Sequence, residues 1–91
     1  MIQKWFVYIV RCSDDSLYTG FTTDIDRRVK EHNTGIGAKS LRGRRPVVLV
    51  YSEVFKTSID ARKREFAIKQ WRREYKIKLI NRKAKENIPG R

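Results

Sequence analysis

The sequence predicts a mixed α/β (α+β) domain with its elements in the order β-β-α-β-α-α. Three observations carry this. The run Trp5-Phe6-Val7-Tyr8-Ile9-Val10 is aromatic and β-branched throughout, which suits a strand with both faces at least partly buried. The cluster Ser13-Asp14-Asp15-Ser16 then separates it from a second apolar stretch, the pattern of a hairpin. Beyond the hairpin, two segments open on Thr-x-x-Asp, a helix-capping pattern with Asp in place of Glu.

The elements follow in order. Leu17-Tyr18-Thr19-Gly20-Phe21 is the second, shorter strand. Gly20 within it implies a close backbone approach or a bend. The first helix starts near Thr23 or Asp24, where Thr23-x-x-Asp26 resembles a capping box. Asp24 and Asp26 also suit the positive end of the helix dipole. Gly35 is its expected stop. Residues 35–46 hold three glycines and four cations and read as a mobile loop with few residues to anchor it. Val47–Tyr51 is the third strand. Thr57-x-x-Asp60 caps a second helix running to about Lys69. A third helix covers Arg72 to Ala84; its continuity with the second, or a bend near Trp71, is left open. The organisation expected is one domain, residues 1–84, with a flexible basic tail, 85–91.

Charge narrows the function classes. The chain has 22 Lys and Arg against 10 Asp and Glu, a net charge of +12. A field of that sign favours a polyanion, with nucleic acid ahead of a merely solvated basic surface. Anionic membrane binding is disfavoured, because the basic helices have no broad apolar face left once the core is served. No apolar run approaches the roughly 20 residues of a membrane span. The N-terminus leads straight into a strand without the shape of a signal peptide. A soluble, cytoplasmic protein, monomeric by preference, is therefore expected. One cysteine and one histidine exclude an intrachain disulfide and a Cys/His zinc site. Cys12 reads as an ordinary half-buried residue.

The candidate chemistry lies in a spacing. Tyr8 and Tyr18 are ten residues apart, Arg28 follows ten later, and His32 one helical turn after that. A carboxylate, Glu65, comes on a later helix. Tyrosine, arginine, histidine and glutamate are the parts needed to cut a phosphodiester with one metal ion. Side chains alternate faces along a strand, so the tyrosines meet only if the hairpin loop is odd, such as Ser13-Asp14-Asp15, or bulged. At about 100° per residue, Ile25, Val29 and His32 share the core face of the first helix. Arg28 lies at the edge of that face and needs an anionic partner or ligand. Arg27 points away, to solvent. On the second helix, Ala61, Ile68, Trp71 and Tyr75 mark the apolar stripe and Glu65 its flank. By pattern alone, Glu65 is either a metal ligand or a partner of Arg62 or Lys69.

These residues resemble the GIY-YIG nuclease family. The first tripeptide of the family is matched by Val7-Tyr8-Ile9, or more loosely by Phe6-Val7-Tyr8, and the second by Tyr18-Thr19-Gly20. Arg28 and His32 follow at the intervals seen in family members, and Glu65 falls on the helix where the family keeps its metal-binding glutamate. The run His32-Asn33-Thr34-Gly35-Ile36-Gly37-Ala38-Lys39 is similar to a subgroup of small, standalone bacterial members. The resemblance implies a three-stranded antiparallel sheet flanked by helices. It implies one divalent ion, Mg or Mn, on Glu65. Tyr8 would activate the attacking water, with His32 as proton acceptor or relay. Arg28 would neutralise charge in the transition state, and Tyr18 would orient the phosphate or water. Asn81 is a possible counterpart of the family's late asparagine.

A DNA backbone is the expected ligand, with low sequence specificity, and RNA is a possible one. Lys39, Arg42, Arg44 and Arg45 in the loop, and Arg72, Arg73 and Lys76 near the C-terminus, are the candidate phosphate contacts. Trp71 and Tyr75 are read as core in preference to base-stacking residues. The function expected is a metal-dependent DNA endonuclease with little sequence preference, acting on DNA or a branched or damaged form of it. The alternatives are a non-catalytic nucleic-acid-binding protein of the same fold, or a small basic protein packed on an RNA assembly.

Overall fold

The computed structural model describes residues 3–86. Strand β1 (Trp5–Arg11) lies at the centre of a three-stranded sheet, between β2 (Leu17–Thr22) and β3 (Val48–Phe55). Both pairings are antiparallel. Helix α1 (Ile25–Thr34) follows β2, and helices α2 (Ser58–Lys69) and α3 (Arg73–Glu86) follow β3. The fold class and element order match those read from the sequence. Residues 85 and 86 of the expected tail continue α3, while 87–91 lie outside the described residues.

The central strand divides two cores. Val7 and Ile9 point to one face, where they meet Tyr51, Ala61, Ile68 and Leu79. Tyr8 and Val10 point to the other, where they meet Cys12, Leu41 and Val47. This is why β1 is apolar at consecutive positions, and Val7 to Val10 are all buried. Helices α2 and α3 cover the first face. Ile25 and Val29 of α1 join the second cluster, as the helical phase requires. Cys12 is buried, 5% exposed, a deeper position than the half-buried one expected.

The hairpin has the odd loop that brings the tyrosines to one face. Arg11 pairs with Leu17 and Tyr8 with Gly20. Cys12 N–H then donates to Ser16 O at 2.8 Å, which leaves Ser13-Asp14-Asp15 as the turn. Asp15 takes φ +70°, a left-handed conformation that Asp tolerates better than most residues. Gly20 provides the close approach expected of it, since a Cβ there would overlap the Tyr8 hydroxyl.

Three local expectations need correction. Asp24, not Thr23, is the N-cap of α1, accepting from Arg27 N–H at 3.0 Å. The third strand runs on to Phe55, four residues further than expected. Helices α2 and α3 are separate, as the element order required, with Gln70 ending the first. The basic loop is anchored: Lys39–Arg44 forms a 3-10 helix, and Leu41 within it is fully buried. Asn33 holds the far end of the loop. Its Nδ2 donates to Val47 O at 3.0 Å, and Val47 N–H donates back to its Oδ1 at 2.6 Å. The stops at Gly35 (φ +88°) and the cap at Thr57 are as expected.

Candidate active site

Tyr8 lies 1% exposed on the second core's face, and its hydroxyl is 2.8 Å from His32 Nε2. The other ring nitrogen of His32, Nδ1, accepts from Ala38 N–H at 3.2 Å. A backbone amide can only donate. Nδ1 is therefore unprotonated, and in the neutral ring the proton sits on Nε2 and is donated to Tyr8 Oη. His32 itself is 1% exposed, and burial first, then the positive charge of Arg28, holds its pKa below the usual 6.5. The imidazole is thus a neutral hydrogen-bond donor to Tyr8 at physiological pH. The role of acceptor expected for His32 runs against this arrangement.

Tyr18 completes an aromatic group. Its ring centroid is 5.4 Å from that of His32, edge-on, and 6.4 Å from that of Tyr8. Arg28, at the rim, meets the anion its position demanded: Nη1 donates to Glu31 Oε1 at 3.0 Å. Glu31 also lies 3.9 Å from Arg27, so Arg27 is not purely a solvated charge. Burial works against the charge on Arg28, but bonding to Glu31 and to Tyr8 outweighs it and raises its pKa. The Tyr8 hydroxyl is pushed up to about 12 by burial and by the neighbouring Tyr18. Arg28 pulls in the opposite direction without prevailing, and the charge of Glu65 adds to the rise. Tyr8 is accordingly a phenol, not a phenolate, at neutral pH in this state. Arg28 does favour the phenolate, but desolvation is the larger effect.

Glu65 enters from α2, on the flank of the stripe made by Ala61 and Ile68. Its side chain is 17% exposed, and Oε2 lies 3.1 Å from Lys69 Nζ. The same ammonium is 5.8 Å from the Tyr18 ring centroid. Tyr8, Tyr18, Arg28, His32 and Glu65 therefore converge where α1, β2 and α2 meet. Asn81 does not join them: it lines a separate cleft with Arg11, Asp15, Leu17 and Arg73.

The structure brings this chain into comparison with known proteins. The family model described as the GIY-YIG catalytic domain matches residues 4–81. The chain belongs to the GIY-YIG family. Among GIY-YIG relatives, a UPF0213 protein of Staphylococcus haemolyticus is 51% identical over 79 residues, covering 87% of this chain and 96% of the relative. A UPF0213 protein of Haloquadratum walsbyi is 55% identical over 84 residues, or 92% and 94% of the two chains. Of solved structures, the solution NMR structure of a UPF0213 protein from Bacillus halodurans aligns with TM-score 0.56 and 44% identity, over 86% of this chain and 83% of that one. A second NMR structure, of a protein from E. faecalis, gives TM-score 0.62 and 34% identity, over 97% and 94%. The GIY-YIG domain is that of a nuclease family and implies a nucleic-acid substrate.

The candidate phosphate contacts fall in two groups. Lys39, Arg42, Arg44 and Arg45 are exposed on the anchored loop, and Arg72 and Arg73 at the start of α3. Lys76 is only half-exposed. Several are already engaged. Arg42 Nε donates to Gly35 O at 3.2 Å and Arg45 Nε to Arg42 O at 2.9 Å. Arg44 lies 3.6 Å from Asp14, and Arg73 3.5 Å from Asp15. Of the two aromatics read as core, Trp71 packs at the margin of the first cluster, whereas Tyr75 is 52% exposed. The break between α2 and α3 puts Tyr75 out of phase with the stripe of α2. No helix among the described residues is long and apolar enough to cross a membrane.

Sequence reasoning missed two contributors: the Ala38 amide sets the His32 tautomer, and Asn33 ties the loop to Val47 beside β3. Lys69 was one of the partners named for Glu65, and the structure shows that pair, with the ammonium also near Tyr18. For Asn33 the pattern carried no signal beyond a polar residue on a helix. For the loop, Leu41 was the signal: a lone leucine among cations is best explained by burial.

Proposed function

We propose that this protein is a metal-dependent endonuclease that hydrolyses phosphodiester bonds in DNA. The observation that carries the reading is the buried Tyr8–His32 bond, with Tyr18, Arg28 and Glu65 gathered round it in a member of a nuclease family. Ionised Tyr8, in the small fraction of molecules whose phenol has first lost its proton to solvent, is the acceptor for the proton of the attacking water. The His32 Nε2–H and the Arg28 guanidinium both point positive character at its oxygen, and both stabilise the phenolate once the proton has gone. Arg28 also offsets the charge that grows on the phosphate, an effect worth more in a half-dry site than in water. Tyr18, at the edge of the His32 ring, orients the phosphate.

The donor set fits a hydrated Mg²⁺ or Mn²⁺. Among the described residues there is no group of three or more His, Cys, Asp or Glu side chains, which rules out a cage built wholly from them. Mg²⁺ needs none, since it keeps several waters and takes one or two carboxylates plus substrate phosphate. Glu65 is the carboxylate that would hold it. The ion would supply positive charge for the phosphate oxygens and favour ionisation of the groups around it.

The test is nicking of supercoiled plasmid and of branched DNA with Mg²⁺ or Mn²⁺, with Glu65→Gln and Tyr8→Phe alongside. Nicking by the native protein that both variants lose is the expected result. Nicking that persists in the variants would sink the site assignment. DNA binding without nicking by any of them would favour the non-catalytic binding protein instead.

A further inference from the structure

We propose that Lys69 is a phosphate ligand of this site which, while neither metal nor DNA is bound, takes the metal's place on Glu65. The proposal rests on the reading of Glu65 as the metal ligand. A Glu–Lys pair four residues apart on a helix is ordinarily a weak, solvated contact. Here the two partners differ in setting. The Glu65 side chain is 17% exposed while that of Lys69 is 44% exposed, and 3.1 Å separates Nζ from Oε2. The ammonium reaches inward to a sheltered carboxylate, and on the way it passes 5.8 Å from the Tyr18 ring centroid. The Glu65 charge is in turn felt at Tyr8. Lys69 is thus an exposed residue whose ammonium is turned toward the candidate catalytic groups.

Two consequences follow from charge and reach. An ammonium and a divalent cation repel, so they cannot both hold the same carboxylate without cost. A lysine is also a point charge on a flexible four-carbon stem, so Nζ can leave Glu65 without moving α2. Once released, it stays tethered beside Tyr18 as a second cation for the phosphate, after Arg28. Metal alone must then displace Lys69 with nothing to receive it. Metal with DNA displaces it onto a phosphate. The two ligands are therefore expected to bind with positive coupling, each strengthening the other.

The experiment uses the full chain, with Mn²⁺ and a short DNA duplex as separate probes, the duplex being titrated in EDTA. Mn²⁺ affinity is read from titration calorimetry and from paramagnetic broadening of amide signals around Tyr18 and Glu65. Lys69→Met is expected to bind Mn²⁺ alone roughly tenfold more tightly, the order expected from relieving one like charge in a half-sheltered site. The same variant is expected to bind the duplex more weakly, with the salt slope reduced by about one. Lys69→Arg keeps the charge and should behave like the native protein toward Mn²⁺. Equal Mn²⁺ affinity in Lys69→Met and the native protein would overturn the proposal, provided Glu65→Gln abolishes binding. If Glu65→Gln still binds Mn²⁺ as the native protein does, or if no variant binds it, the assignment of Glu65 falls and this proposal with it.

Discussion

At the residue scale the site turns on which atom holds a proton. The Ala38 amide commits His32 to donating toward Tyr8, and burial with Tyr18 pushes the Tyr8 hydroxyl up to about 12. If Tyr8 is the base, its reactive fraction grows tenfold per pH unit below that value. The measurement is kcat/KM for cleavage between pH 6 and 9, expected to climb with pH; a flat profile across that span would remove Tyr8 from the role. Stability carries the opposite sign. Tyr8 and Tyr51 both have folded pKa values raised from 10.0 to about 12, Tyr51 by burial and by its bond to Glu53. The folded state then holds these protons more tightly than the unfolded chain does. That contribution is complete below about pH 10 and is lost as pH rises toward 12. Melting temperature should fall across this window, and Tyr51→Phe should flatten the fall.

Elements decide how firmly those atoms are held. The 3-10 segment is stitched to α1 through His32 and Asn33 and sealed by Leu41. A Cβ on Gly37 would overlap His32 Nδ1 and come within 2.8 Å of its Cα. Gly37→Ala should therefore break the Ala38–His32 bond, destabilise the fold by about 1–3 kcal/mol and reduce cleavage further than its melting shift explains. Leu41→Ala should cost about 2–5 kcal/mol in chemical denaturation. On the far flank of α2, Arg64 grips Glu53 of β3 with bonds of 2.9 and 3.0 Å, fixing the rotation that turns Glu65 toward Tyr18. Much of this was legible in the sequence. Strand parity called for the odd hairpin loop, and helix phase put His32 inward and Arg28 at the rim, because both rest on fixed periods. The anchored loop was not legible, since it depends on a single leucine and on hydrogen bonds between residues fourteen apart, Asn33 and Val47. Nor was the exposure of Tyr75, because no cap or glycine marks the break at Gln70.

At the scale of the whole molecule, the +12 charge is unevenly free. The hairpin turn holds two of the cations suggested for DNA, Arg44 through Asp14 and Arg73 through Asp15, with Arg11 also 3.9 Å from Asp15. A DNA backbone bound here would have to compete with these exposed pairs, which are individually weak. Asp14→Asn with Asp15→Asn should bind duplex DNA several-fold more tightly at fixed salt, measured by fluorescence anisotropy. Unchanged affinity would show that the turn lies off the DNA path. The native protein should lose affinity steeply with salt and show a flat preference across unrelated sequences. The central strand ties all of this to folding. Tyr8 faces one core while Val7 and Ile9 face the other, so a slip of β1 by one residue exchanges them. A misregistered copy would bury a phenol among the aliphatics and leave a valine or isoleucine facing His32. Such a copy would be disarmed as well as unstable, because the error that spoils the fold also dismantles the Tyr8–His32 pair.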